Sequence, residues 1–287
     1  MHLRSAVLHK DIPTHYANLM MQYMVARSLQ SRIPYLQLSN FDLPYWNISH
    51  PEIPQSESDK ACILWSEQHV DFERIAYLAD TGIFSRFNWR GYGERIEYFP
   101  PKDVCRKLFV RFDIQTRSLG DDVLLCPVRG AEILDAIHPG YTVVPVDFYA
   151  DIVEETGLIP VFIGQLGDNP YTRALRDRFP KADFIPHQDA LIDFQTIRSA
   201  ANIVVPVSTF GWLAAWLSHA RTIILPVFGI FDPKPFPLHD LLPLSDPAYR
   251  FYAFPPQAAV PLSALLEAHG EIRGQWRRVA PSDLARP

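Results

Sequence analysis

The sequence predicts an α/β protein of two halves, the second of them built on a parallel sheet. Three observations carry this reading. Between residues 122 and 227, short apolar runs of strand length alternate with helix-like stretches of about three turns, the pattern of βαβ units. A polar stretch at residues 113–121, containing Gly120, separates this region from a less regular first half. And with 287 residues, 48% of them apolar and 21% charged, the chain can bury one large core or two medium ones.

Taken in chain order, residues 6–9 read as a first strand and 16–29 as a helix. Leu19, Met20, Met21, Tyr23, Met24, Val25 and Ala26 make that helix apolar on nearly every side, which marks it as buried. His15, Asn18 and Gln22 fall three and four residues apart, on one stripe. Buried polar groups need partners, so the stripe either closes a structural network or lines a cleft between the halves. Residues 35–38 and 61–65 read as further strands, 42–58 as a loop-rich stretch and 72–79 as a helix.

In the second half, residues 122–128 form a continuous apolar run, as in a strand buried on both faces. A helix at 147–156 stops at Gly157. Strands at 159–163, 183–185, 203–207 and 222–227 then alternate with helices at 171–179, 190–200 and 210–219. A last helix is expected at 262–269, followed by a polar end that frays.

Composition removes several function classes. A net charge of -5 leaves no basic footprint for nucleic acid. No apolar stretch approaches the ~20 residues of a membrane helix, and residues 1–13 lack the apolar core of a signal peptide. The expectation is a cytoplasmic protein, with a peripheral membrane contact still compatible. Cys62, Cys105 and Cys126 have no metal-ligand spacing and read as free thiols in a reducing compartment. The 26 prolines gather around loops, as at Ile53-Pro54, Phe99-Pro100-Pro101 and Pro255-Pro256. No Gly-x-Gly-x-x-Gly turn and no Walker loop is present, which disfavours a dinucleotide oxidoreductase or a P-loop ATPase.

Open parallel sheets bind ligands beyond the carboxyl ends of their strands. Arg129-Gly-Ala-Glu132 follows the strand at 122–128, and Ser208 and Thr209 follow the strand at 203–207, at the start of a helix. A guanidinium offers a fork of donors, and a helix start offers free N–H groups with a partial positive charge. Together they suit a diphosphate. Each also has a plainer explanation: Ser208 or Thr209 as an N-cap, and Arg129 as a surface partner of Glu132 or Asp135.

Three segments carry a family resemblance. Ala17-Asn-Leu-Met-Met-Gln-Tyr23 followed by Ala26-Arg27 resembles the Gly-Asn-Gln-Met-Phe-Gln-Tyr opening of bacterial α1,2-fucosyltransferases and their relatives. Pro127-Val-Arg-Gly-Ala-Glu132 stands where that family has His-x-Arg-x-Gly-Asp. Asn202-Ile-Val-Val-Pro-Val-Ser-Thr-Phe-Gly-Trp212 is similar to its Asn-Ser-Thr-Phe-Ser-Trp segment, and Ile223-Ile-Leu-Pro226 to the strand that follows. Here the family histidine is Pro127, and the first glycine and glutamine of the opening motif are Ala17 and Leu19.

The resemblance implies a GT-B-like fold, two Rossmann-type halves with parallel sheets facing across a cleft. Residues 1–117 would form the acceptor side and 118–287 the nucleotide-sugar-binding domain. It implies inverting transfer of a sugar, often fucose from GDP-fucose, from a nucleotide-diphosphate donor to a glycan or polysaccharide acceptor, with no cofactor and no metal. The absence of an Asp-x-Asp motif agrees. By the same resemblance Arg129 would hold the diphosphate, Ser208, Thr209 and Phe210 would lie against the phosphates, and Asn18 would line the cleft from the other half; Gln22, on the same stripe as Asn18, is a further donor-binding candidate. Glu132 is the first candidate for general base, or else orients Arg129; His138 and Asp147 in the loop that follows, and His15, are secondary candidates. Asp193 either reads a nucleobase edge or is a solvated helix carboxylate. Two alternatives stand beside this: a transferase for another GDP- or UDP-linked sugar, and a catalytically silent partner that binds a nucleotide sugar or glycan, which Pro127 favours.

Overall fold

Eleven of the thirteen strands among the described residues belong to two separate sheets, one in each half of the chain. The computed structural model describes residues 5–66, 68–111, 113, 114, 116–135, 138, 140–256 and 259–285. Two compact units result, Met1–Phe112 and Asp113–Pro287.

The first unit runs β1 (Ala6–Lys10), α1 (Tyr16–Arg32), β2 (Leu36–Ser39), β3 (Phe41–Leu43), β4 (Ile48–His50), β5 (Ala61–Trp65), α2 (Phe72–Asp80), β6 (Arg86–Arg90) and α3 (Lys102–Leu108). Its sheet has the order β2-β1-β6-β5, all parallel. As its composition requires, α1 is buried almost throughout, with Met21, Met24, Val25 and Ala26 at 0% exposure. The stretch expected to be loop-rich holds a hairpin instead: β3 and β4 pair antiparallel around the tight turn Pro44–Trp46. β6 was not expected from the sequence, because Arg86, Asn88 and Arg90 dilute its apolar content. The alternation with Phe87 and Trp89 is nevertheless the period of a strand, and Arg86, 3% exposed, satisfies its guanidinium on the Ile53 carbonyl at 3.0 Å.

The second unit runs β7 (Val123–Arg129), α4 (Val146–Thr156), β8 (Ile159–Gln165), α5 (Pro170–Arg178), β9 (Asp183–Pro186), α6 (Ala190–Ser199), β10 (Asn202–Val204), α7 (Thr209–Trp216), β11 (Thr222–Val227), β12 (Tyr249–Ala253), α8 (Leu262–Glu271), β13 (Arg277–Val279) and α9 (Pro281–Leu284). The sheet order is β13-β12-β11-β10-β7-β8-β9, parallel except for β13. Read from β9 to β12, this is the 3-2-1-4-5-6 order of a doubly wound mononucleotide-binding sheet. Its central strands are buried on both faces: Leu124, Leu125, Cys126, Ile203, Val204, Ile224 and Leu225 are all 0% exposed.

Two expectations need correction. The polar end does not fray at residues 277–279, which pair with β12 as the antiparallel edge strand. Trp276 anchors it, 5.6 Å edge-on from Phe148, with its indole N–H on Asp151 at 2.9 Å. Burial of one large ring outweighs the polarity of its neighbours. The strand expected at 203–207 ends at Val204, because Pro206 cannot donate to a ladder. No helix among the described residues is long and apolar enough to cross a membrane. All three cysteines are free thiols, Cys105 and Cys126 buried and Cys62 half-buried; burial pushes the Cys105 thiol up to about 12.

Candidate functional site

The strand order of the second unit reverses between β7 and β10, so ligand binding is expected beyond their carboxyl ends. These two strands barely pair. Their register holds the single match Ile203↔Leu125, against seven matched residues between β7 and β8. Pro127, buried in β7, has no N–H to offer. Beyond the strand ends three loops converge. Ile230 N–H donates to the Gly140 carbonyl at 2.9 Å, joining the connections that follow β11 and β7. A Cβ at Gly229, whose φ is +57°, would stand 2.5 Å from Gly140 O and 2.9 Å from Val207 Cγ1, after β10. Only glycine permits so close an approach in that conformation.

Arg129 is the last residue of β7. Its Nε and Nη2 donate to Glu132 Oε1 at 2.9 and 2.7 Å, and its guanidinium lies 5.1 Å over the Tyr141 ring. Gln165, the last residue of β8, donates to Glu132 Oε2 at 3.2 Å. Burial pushes the Glu132 carboxyl up, but the hydrogen bonds from Arg129, its own backbone and Gln165 outweigh that and hold it below the usual carboxylate range. Glu132 is thus an anion that fixes the arginine. His138, exposed, meets Tyr141 edge to face at 5.6 Å, which brings Arg129, Glu132 and His138 into one cluster. Gly130 lets it close: a Cβ there would sit 2.6 Å from the Gln165 carbonyl.

On the other side of the reversal, Ser208 is the N-cap of α7, its Oγ accepting from Phe210 N–H at 3.2 Å. Its capping role is therefore real. At 3% and 6% exposure, Ser208 and Thr209 have little hydroxyl surface left. What this helix start can offer an anion is backbone N–H groups and its dipole. Phe210 meets Phe194 of α6 edge-on at 5.4 Å, which ties α7 to the neighbouring helix.

No family model matches the chain, and no curated protein matches it. Solved structures align with it at low identity. The E. coli ADP-heptose lipopolysaccharide heptosyltransferase II is 14% identical over 94% of this chain and 99% of its own, with a TM-score of 0.41. The E. coli heptosyltransferase WaaC with ADP is 12% identical over 93% and 99%, TM-score 0.48. A Listeria monocytogenes structure described as a putative UDP-N-acetylglucosamine 2-epimerase is 11% identical over 77% and 79%, TM-score 0.42.

The remaining candidates are placed differently from one another. Asp193 is not a solvated helix carboxylate: it is 5% exposed, and its Oδ2 stands 2.6 Å from Nδ1 of His187. The residue just past β9 thus carries an imidazole turned toward the first turn of α6, a partner that no periodicity reveals because it comes from the preceding loop. Asp147 is not in a loop but in the first turn of α4. It pairs with Arg273 at 3.4 Å, on the side of the helix that meets α8. In the first unit the stripe divides. Gln22, 0% exposed, donates to the Gly91 and Ile12 carbonyls at 2.9 and 3.4 Å, closing the ends of β6 and β1. It acts there as a structural tie. Asn18 is half-buried with a covered Oδ1, and His15 is exposed.

Sequence reasoning missed Tyr141, Gln165 and His187. Gln165 and His187 each lie at or just past a strand's carboxyl end, so inspecting every strand end would have found them. Tyr141 carried no signal.

Proposed function

We propose that this chain is a glycosyltransferase that moves a sugar from a nucleoside-diphosphate donor to a glycan or polysaccharide acceptor. One observation carries the reading. Arg129 ends β7 and the start of α7 follows β10, the neighbouring strands between which the sheet order reverses. The similarity of residues 202–212 to the Asn-Ser-Thr-Phe segment of fucosyltransferases supports it and makes GDP-fucose the first donor to try.

The chemistry follows from charge. As the bond from the anomeric carbon to the β-phosphate oxygen breaks, negative charge grows on the leaving diphosphate. The Arg129 fork and the N–H groups of α7 neutralise that charge in place. Glu132 orients Arg129 and fixes the direction in which its guanidinium points. The acceptor hydroxyl attacks from the opposite face, which inverts the anomeric centre, and loses its proton to a base. His138 is the member of the cluster best suited to accept it, since Glu132 is engaged on both oxygens. Asp193, with His187, would meet the nucleoside end. No cofactor is required.

A second reading, a partner that binds a nucleotide sugar without transferring it, is favoured by Pro127, buried where the family has its histidine. Release of nucleoside diphosphate from GDP-fucose and a panel of UDP-sugars, measured with and without EDTA, separates the two. The transferase reading expects release that persists in chelator, because Arg129 and the start of α7 would neutralise the leaving diphosphate without a metal. Donor binding without release supports the silent partner. Loss in EDTA restored by Mg²⁺ contradicts the metal-free route.

A further inference from the structure

In the first unit, the start of α1 and the segment from β3 into its turn enclose a pocket of about 240 Å³. Tyr16, Leu19, Tyr45 and Trp46 supply its apolar lining, and His15 and Asp42 its polar lining. Tyr16 and Tyr45 are near-parallel, 17° apart with centroids at 5.9 Å, and they are 49% and 37% exposed. Two large rings stacked at the surface leave apolar area in water. Trp46, 8% exposed, gives the pocket a fixed floor.

The backbone here is unusual as well. Among the described residues, the non-glycine residues with positive φ are Tyr16 at 47°, Asn40 at 64° and Asn47 at 54°. All three lie within the pocket's segments or within two residues of them. Asparagine tolerates this region, but a bulky aromatic residue does so only under strain. The fold holds Tyr16 against its own preference, and the result is a ring laid on Tyr45. Strain of this kind gathers where a ligand is clamped.

The lining selects a ligand class. An apolar ligand would strip water from Asp42 and His15 without replacing its hydrogen bonds. An anion would meet the Asp42 carboxylate. A small cation would suit an enclosing cage of rings, but these tyrosines stack on each other, and the Asp42 charge already acts on the nearby Lys10 ammonium. A flat C–H face edged with hydroxyls satisfies every group at once. We propose that this pocket is a pyranose-binding subsite, with the sugar's C–H face on the Tyr16–Tyr45 pair and its hydroxyls on Asp42 and His15. The pocket's chemistry alone supports the binding; only the sugar's role as part of the acceptor rests on the glycosyltransferase reading.

Saturation-transfer NMR on the full chain, with the methyl glycosides of glucose, galactose and mannose as probes, tests this. Transfer to the ring C–H protons of at least one glycoside is expected. Tyr45→Ala and Tyr16→Gly should weaken that binding by roughly two- to tenfold, the scale of an aromatic stacking contact, and Tyr16→Phe should keep it. Tyr16→Gly should also melt no lower than the parent, because glycine adopts the same φ without strain. That combination, lost binding in an undamaged fold, is one that a merely structural Tyr16 does not produce. Absence of transfer from all three glycosides, transfer to tetramethylammonium instead, or binding unchanged in both variants overturns the proposal. A wild-type chain that binds a glycoside yet shows no response to any nucleoside diphosphate would remove the transferase reading and leave this subsite standing.

Discussion

Arg129 and Glu132 are locked together at the end of β7, with two guanidinium nitrogens sharing one carboxylate oxygen at 2.9 and 2.7 Å. Gln165 holds the other oxygen at 3.2 Å. This arrangement turns the arginine from a mobile surface side chain into a fixed fork, and the proposed chemistry depends on that.

Arg129→Ala should lower donor affinity about ten- to a hundredfold, the effect of losing a hydrogen bond to a charged group at roughly 1.5–3 kcal/mol. Arg129→Lys should recover only part, because a point charge replaces a planar fork. Glu132→Gln should cost less than Arg129→Ala, since it loosens the arginine without removing it. Calorimetric titration of the nucleotide beside a melting curve checks this. If Arg129 were only a surface ion pair, affinity would not move and stability would change by at most ~1 kcal/mol.

Ser208→Ala should destabilise the fold by about 1 kcal/mol, the usual loss for an N-cap hydroxyl. Ser208→Gly should cost only a few tenths, since a glycine N-cap leaves the first-turn N–H groups open to water. Donor affinity should follow the same order and by no more, because the covered Oγ serves the cap rather than the ligand. Chemical denaturation and nucleotide titration on both variants measure it; a loss of binding far beyond the loss of stability would make the hydroxyl a direct ligand contact.

His269 gives the protein an acid limit. It is 7% exposed in α8, and neither ring nitrogen finds a partner. Burial pulls its pKa down to about 4, against a smaller upward pull from Asp147. The unfolded chain, with a histidine near 6.5, therefore binds the proton first. Stability contributed by the neutral ring is full above about pH 6.5 and is lost as pH falls toward 4, at roughly 1.4 kcal/mol per pH unit. His269→Leu should flatten the stability profile across that window. Urea denaturation at several pH values reads it directly, and a parallel decline in the variant would assign the acid limit to other groups.

Much of this arrangement was legible in the sequence. The continuous apolar runs of β7, β10 and β11 announce strands buried on both faces, and Gly157, at φ +68°, stops α4 where expected. Arg129, Ser208 and Thr209 could be named because ligand sites of parallel sheets lie at strand ends. The alternation in β6 was hidden by its two arginines, one of which is buried and paid for by a backbone carbonyl that lies 33 residues earlier in the chain. β12 lies beyond a long connection and β13 is three residues long, so neither stands in the strand–helix alternation that marked the other strands. The partners that define side-chain roles were the least legible. His187 for Asp193, Gln165 for Glu132, and Gly91 for Gln22 are tertiary contacts, and spacing along the chain does not encode them.

The central claim is that the carboxyl ends of β7 and β10 hold a nucleoside diphosphate. A thermal-shift series with the mono- and diphosphates of guanosine, uridine and adenosine tests it most directly. At a hundred times the dissociation constant, a diphosphate should add roughly 2.7 kcal/mol to stability, and the matching monophosphate less. No shift from any nucleotide at millimolar concentration, or an equal shift from monophosphate and diphosphate, would contradict it.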